Sequence, residues 1–154
     1  MRQLALLLST VGYLGYVPVA PGTAGSAIGL ALFFFLQSTE SIVVELGTIV
    51  VLFVVGVWSS TVAEKHFNQV DPAPVVIDET VGMLITLALL PVNFLGALIG
   101  FLIFRILDVT KPFPIAKLEK LPRGFGVMAD DGMAAVYGNL IMRGLLAVAP
   151  NWLS

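Results

Sequence analysis

Apolar residues gather in four long stretches of this chain, separated by short segments that carry most of the charge. The stretches are residues 24–36, 42–63, 81–104 and 132–149. The first is short and contains Gly25 and Gly29. The second holds one carboxylate, Glu45, and is long enough to span a bilayer core, for which about 20 residues suffice. The third has no charge but is interrupted by Pro91-Val92-Asn93, and the fourth carries only Arg143. A proline disfavours helix at the residue before it, so the interruption predicts two helices, 78–90 and 94–110, joined by a tight turn. At ~1.5 Å per residue they reach about 20 and 26 Å, short of a ~30 Å hydrocarbon core. Residues 113–123 set Ile115, Leu118 and Leu121 at helical spacing opposite Lys117, Lys120 and Arg123. That spacing predicts a short amphipathic helix in the headgroup plane, attracted to anionic lipid. Residues 124–131 read as a flexible glycine loop whose Asp130-Asp131 pair caps the last apolar helix. The expected fold class is all-α: a small polytopic helical membrane protein with about four to five membrane-embedded helices plus a short interfacial helix.

Composition agrees with a membrane setting. Of 154 residues, 58% are hydrophobic and 12% charged, with a mean hydropathy of +0.98. A soluble domain carries roughly 25% charged residues, about twice this share. The length fits one domain, 1–154, with no linker tract or internal repeat to divide it. A net charge of −2 gives no footprint for nucleic acid. Met1-Arg2 and the apolar residues that follow look like the start of a signal peptide. Pro18-Val19-Ala20-Pro21-Gly22 lacks a small-x-small cleavage site, so the segment is expected to be retained.

The distribution of charge narrows the picture further. Seven of the eight Lys/Arg residues (Arg2, Lys65, Arg105, Lys111, Lys117, Lys120, Arg123) fall in the N-terminus or in segments 64–80 and 105–131. Helices running out and back put these segments on one face, which the positive-inside rule makes cytoplasmic. Eight of the ten carboxylates lie there too: Glu64, Asp71, Asp78, Glu79, Asp108, Glu119, Asp130 and Asp131. Charges mark loops in any membrane protein, but five of these acids border apolar runs directly. Carboxylates crowded into a partly dry site oppose one another's ionisation unless a cation joins them. Mg²⁺ suits a few carboxylates and a substrate phosphate. The absence of Cys excludes thiolate metal sites and a cysteine nucleophile, and His66 alone cannot form a histidine pair.

Four motifs carry candidate chemistry. Pro21-Gly22-Thr23-Ala24-Gly25-Ser26 stands before an apolar helix, where glycines and free N–H groups favour an anion, although an ordinary N-cap would look the same. Asp78-Glu79 opens a helix whose dipole favours negative charge, yet one acid would suffice for that. Arg105, Asp108 and Lys111 share one face of a helix end, stopped by Pro112. They form either a local ion pair or a pair of cations on a phosphate with Asp108 on the bridging metal. In Asp130-Asp131, again, one residue exceeds what a cap needs. Arg143 pairs with a carboxylate or snorkels outward.

Taken in order, these segments resemble the phosphatidylglycerophosphatase A family of bacterial lipid phosphatases. The matching pieces are Gly12-Tyr13-Leu14-Gly15-Tyr16 leading to Ala20-Pro21-Gly22-Thr23-Ala24-Gly25-Ser26, and Asp71-Pro72 with Val76-Ile77-Asp78-Glu79 and Gly82. Arg105-Ile106-Leu107-Asp108 with Lys111-Pro112 and Pro114-Ile115 follows, then Gly124 to Asp131. Phe113 stands where Trp is expected and Ala135 where Gly is frequent. The resemblance implies Mg²⁺-dependent removal of the terminal phosphate of phosphatidylglycerophosphate, giving phosphatidylglycerol and phosphate. It places the enzyme in the bacterial inner membrane, multi-pass, with its site facing the cytoplasm.

On that basis the expected metal ligands are Glu79, Asp108, Asp130 and Asp131, with Asp78 and then Asp71 after them. Arg105 and Lys111 bind the phosphate with Thr23, Gly25 and Ser26, and the catalytic set is Glu79, Asp108, Asp131, Arg105 and Lys111. The chain lacks a Cys-x₅-Arg loop, an Asp-x-Asp nucleophile pattern and a histidine pair, which excludes three other phosphatase mechanisms. Alternatives are another lipid phosphate such as phosphatidic acid or, in a different class, a small ion-coupled transporter or scaffold. Short helices and scattered glycines favour a homodimer.

Overall fold

The computed structural model describes Met1–Ser154 and is all-helical. Helix α1 (Arg2–Ser9) leads through a 3-10 turn (Leu14–Tyr16) to α2 (Pro21–Gln37). The long α3 (Ile42–Phe67) and the short α4 (Ile77–Leu87) follow. Then come α5 (Phe94–Thr110), one turn of α6 (Ile115–Leu118), α7 (Gly124–Val148) and a terminal turn, α8 (Pro150–Leu153).

Helix α4 is the central pillar. Nine of its eleven residues are buried, including both faces of Val81-Gly82-Met83-Leu84, because α2, α3, α5 and α7 all lean on it. Small residues permit that crowding. A Cβ at Gly25 would collide with Val76, one at Gly29 with Thr80, and one at Gly82 with the Phe104 ring. The Thr80 hydroxyl lies 2.9 Å from both the Gly25 and the Val76 carbonyls, so it satisfies itself without opening the packing. The core runs from Phe33 and Leu36 through Met83, Leu84 and Leu87 to Phe104, Ala134 and Met142.

Outward faces are apolar as well. Helix α3 is long and apolar enough to cross a membrane, yet little of its apolar window is buried by the rest of the protein. Val43, Val50, Val51 and Val54 stand exposed on it, as do Leu98, Leu102 and Ile106 on α5 and Leu140 on α7. A continuous apolar exterior of this extent marks a surface that meets something other than water.

Four sequence expectations change. The amphipathic helix over 113–123 shrinks to the four residues of α6, with Ile115 buried in the core. Pro112, Pro114 and Pro122 explain this, since each removes a donor and restricts the residue before it. The glycine loop over 124–131 is helical: α7 starts at Gly124, and Asp130 and Asp131 lie nearly two turns inside it, capping nothing. Its glycines serve close contact, since a Cβ at Gly124 would strike Thr61 and Val57, and one at Gly126 would strike Leu121. The Pro21–Ser26 segment is the opening of α2 itself, with Pro21 in its first turn. Helix 94–110 falls where expected, started by the Asn93 side chain accepting from the Gly96 N–H at 2.9 Å. Helix 78–90 ends earlier, at Leu87, where the chain turns extended at Ala88 and then left-handed at Leu89.

Candidate metal and phosphate site

The start of α2, the end of α3, the start of α4, the end of α5 and the first turns of α7 meet at one end of the bundle. Asp78 and Glu79 occupy the first turn of α4, and neither caps it. Asp131 reaches them from α7. One oxygen from each of Asp78, Glu79 and Asp131 lies within 4.8 Å of the others. Asp78 and Asp131 are 5% and 4% exposed. Asp78 Oδ1, Glu79 Oε2 and Asp131 Oδ2 are buried and lack any hydrogen-bond partner. Buried carboxylate oxygens left unpaired are strongly unfavourable. The carboxylates of these three residues converge, and together they form a hard-oxygen donor set that fits a divalent cation.

Two basic side chains flank this cluster. Arg105 Nη1 donates to Asp108 Oδ2 at 2.7 Å and lies 3.9 Å from Glu79 Oε1. Lys111 Nζ donates to Asp130 Oδ2 at 2.6 Å and lies 3.2 Å from Glu119 Oε2. Burial alone would lower the Lys111 pKa, but its hydrogen bond and charge contact with Asp130, helped by Glu119, raise it, so Lys111 stays cationic. Asp71, in the loop before α4, is pushed up to about 6 by burial and by the charge of Asp130, against the pull of Lys111. Its N–H points to Glu64 Oε1 at 3.4 Å. Ala20, Asp71 and Lys111 all adopt positive φ, a conformation disfavoured for side-chain-bearing residues.

A family model described as Phosphatidylglycerophosphatase A matches residues 7–146. The chain belongs to the phosphatidylglycerophosphatase A family. It is 34% identical to Phosphatidylglycerophosphatase A of Haemophilus influenzae over 149 residues, 92% of this chain and 91% of that one. With the Escherichia coli protein of the same name it shares 36% over 128 residues, 79% of this chain and 72% of the other. A Bacteroides thetaiotaomicron protein, provisionally named a phosphatidylinositol-3-phosphatase, is 36% identical over 146 residues, covering 90% and 91% of the two chains. No solved structure matches this chain significantly. Family membership makes the protein a phosphatase.

Within this phosphatidylglycerophosphatase A fold, the sequence-derived residues separate into groups. Asp78, Glu79 and Asp131 come together with unpaired oxygens, whereas Asp108 and Asp130 are engaged by Arg105 and Lys111. Thr23 is exposed on the first turn of α2. Gly25 and Ser26 are buried in packing, with the Ser26 hydroxyl donating to the Gly22 carbonyl at 3.0 Å. The glycine that does face the cluster is Gly22: a Cβ there would collide with the Glu79 carboxylate and come 3.0 Å from Arg105 Nη1. Its place beside Pro21 in a helix-opening motif was the available signal. Glu119 is the other residue not singled out, and its contact with Lys111 spans a turn that sequence spacing does not encode. Arg143 belongs to the opposite end, where it donates to Asn139 Oδ1 at 2.8 Å.

Proposed function

We propose that the protein is a Mg²⁺-dependent phosphatase that hydrolyses phosphatidylglycerophosphate to phosphatidylglycerol and inorganic phosphate. The observation that carries this is the set of three buried, unpartnered carboxylate oxygens of Asp78, Glu79 and Asp131 beside Arg105. Those three side chains would hold the metal. When bound, Mg²⁺ neutralises phosphate oxygens and lowers the pKa of a bound water. Arg105 and Lys111 receive the phosphate dianion and stabilise charge on the transferring phosphoryl group. Asp108 and Asp130 hold those two cations in position through the 2.7 Å and 2.6 Å contacts. Gly22 lets the opening of α2 pack against Glu79 and Arg105, and its N–H is the one donor of that turn left for the phosphate, since Thr23 and Ala24 donate to the Ala20 carbonyl. Hydrolysis exchanges the ester P–O bond for a bond to the water oxygen, and the glycerol oxygen takes up a proton.

Seven of the eight basic residues cluster at this end, which supports a multi-pass arrangement in the inner membrane with the site at the cytoplasmic headgroup level. The relative named for phosphatidylinositol-3-phosphate motivates a second substrate to try. Phosphate release from phosphatidylglycerophosphate, phosphatidic acid and phosphatidylinositol 3-phosphate, with Mg²⁺ and with EDTA, tests the reading. Release from the first substrate that stops with EDTA and returns with Mg²⁺ is expected. Unchanged release in EDTA would remove the metal, and faster release from another lipid would reassign the substrate.

A further inference from the structure

Two surface cavities on the outer side of α3 meet at one tryptophan. The first, about 470 Å³, is lined by Arg2, Trp58, Lys65 and His66 among others. The second, also about 470 Å³, is an apolar groove between α3 and α7, walled by Phe53, Val57, Trp58 and Phe125. Phe53 and Phe125 close it edge to face, their ring centroids 6.4 Å apart. Residues 58, 62, 65 and 66 share one face of a helix by their spacing, so the charged cavity sits one to two turns above the groove, at the end where the acid site lies. Neither Arg2 nor Lys65 has a carboxylate partner, unlike Arg105 and Lys111 and like Lys117, Lys120 and Arg123; what sets the first two apart is that both line the cavity that adjoins the groove.

We propose that this composite site holds one anionic phospholipid, separate from the substrate. Its phosphate lies against Arg2 and Lys65, with the His66 imidazole as a further hydrogen-bonding group, and one acyl chain lies in the Phe53–Phe125 groove. Trp58 sits where head and tail join, the level at which an indole is favoured in a bilayer. Charge complementarity selects the occupant: two unpaired cations beside an apolar groove, joined to it at Trp58, match a negative headgroup on a hydrocarbon tail, and a zwitterionic lipid satisfies them less well. Nothing in this site touches Asp78, Glu79 or Asp131, so it stands independently of the phosphatase reading and rests only on the membrane setting.

Trp58 and Trp152 are the two tryptophans, and Trp152 is exposed at the far end. A Trp152→Phe protein therefore reports on this site alone. It is reconstituted into phosphatidylcholine vesicles containing either brominated phosphatidylglycerol or brominated phosphatidylcholine as the quencher. Half-maximal quenching is expected at a mole fraction of the anionic lipid lower by up to about 25-fold, about fivefold for each of the two cations. Arg2→Gln with Lys65→Gln should abolish that preference, at about fivefold per charge removed, while Lys120→Gln should leave it in place. Both substituted residues are exposed, and unchanged helicity verifies the fold. Equal quenching by the two lipids, an unchanged preference in the double variant, or an equal loss in Lys120→Gln would overturn the proposal. Shielding of Trp58 from both lipids would do the same and indicate a second protein copy on this face.

Discussion

The two ends of the bundle handle their polar groups in opposite ways. At the far end, amides close off backbone carbonyls. The Asn139 amide lies 3.0–3.2 Å from the carbonyls of Ile85, Thr86 and Ala88, where α4 stops. Asn93 reaches the Trp152 and Ser154 carbonyls, and Gln37 the Val92 carbonyl. Glu45, the one carboxylate so used, accepts from the Leu89 N–H at 3.0 Å. At the site end, carboxylates converge with oxygens left unpaired. Buried polar groups are normally satisfied, so a structure that does this carefully at one end and not at the other marks the second as the end that could hold a cation. Polar groups are sealed at one end and left open at the other.

Breaking the carboxylate set should produce the largest effect. Glu79→Gln and Asp131→Asn keep shape and remove a charged donor, and each is expected to lower kcat by roughly 10²–10³-fold, the scale for losing one electrostatic contact to a transition state. In EDTA the same variants should melt higher than the wild type, because a buried unpaired charge disappears. Activity assays beside thermal unfolding in detergent separate the two signs. A variant that loses activity and also melts lower would make the cluster structural.

Gly22→Ala comes next. The added Cβ meets Glu79 and Arg105, so activity should fall by about tenfold or more while the helix, which prefers alanine, persists. Gly144→Ala is the matched control: open space surrounds it at the far end of α7, and a gain of about 0.5–1 kcal/mol with unaltered kcat is expected. Equal kinetics for the two variants would remove Gly22 from the site.

The sealed end predicts the converse. Asn139→Ala leaves three carbonyls at the end of α4 without their donor, a loss of about 1–3 kcal/mol. Its effect should appear as a lower Tm with kcat unchanged in the protein that remains folded. A selective fall in kcat at unchanged Tm would mean that the two ends are coupled through α4.

The contrast between the ends also explains what the sequence could and could not convey. Helix 94–110 and the turn at Pro91 were legible because proline and a capping asparagine act locally. That acids and bases gather at one end was legible too, since alternating helix direction follows from segment order. Which acids converge was not. Asp130 and Asp131 are adjacent in sequence, but on a helix adjacent residues point about 100° apart. One therefore faces Lys111 and the other faces Asp78 and Glu79. Reading residues 124–131 as a loop concealed that division. In the same way Gly25 and Ser26 belong to packing because α2 begins at Pro21, several residues earlier than the apolar run suggests.

The smallest effect concerns pH and belongs to Asp71, at the margin of the site. Its carboxyl is raised to about 6 by burial and by Asp130. The folded state thus binds a proton more tightly there than the unfolded chain does. Stability from this group is complete below the ordinary carboxylate range and is lost as pH rises through about 6. Lys111 opposes the shift and solvent screens it, so the expected contribution is about 1 kcal/mol across the window. Thermal unfolding in EDTA, followed from pH 4 to 7 for wild type and Asp71→Asn, isolates it as a difference, because the other acids titrate in both proteins. The variant should gain on the wild type as pH rises, reaching its full advantage above pH 6. A constant gap would show that Asp71 is ionised throughout and held by Lys111, extending the paired arrangement of Asp108 and Asp130 to a third carboxylate. The unpaired character of the site end would then narrow to Asp78, Glu79 and Asp131 alone.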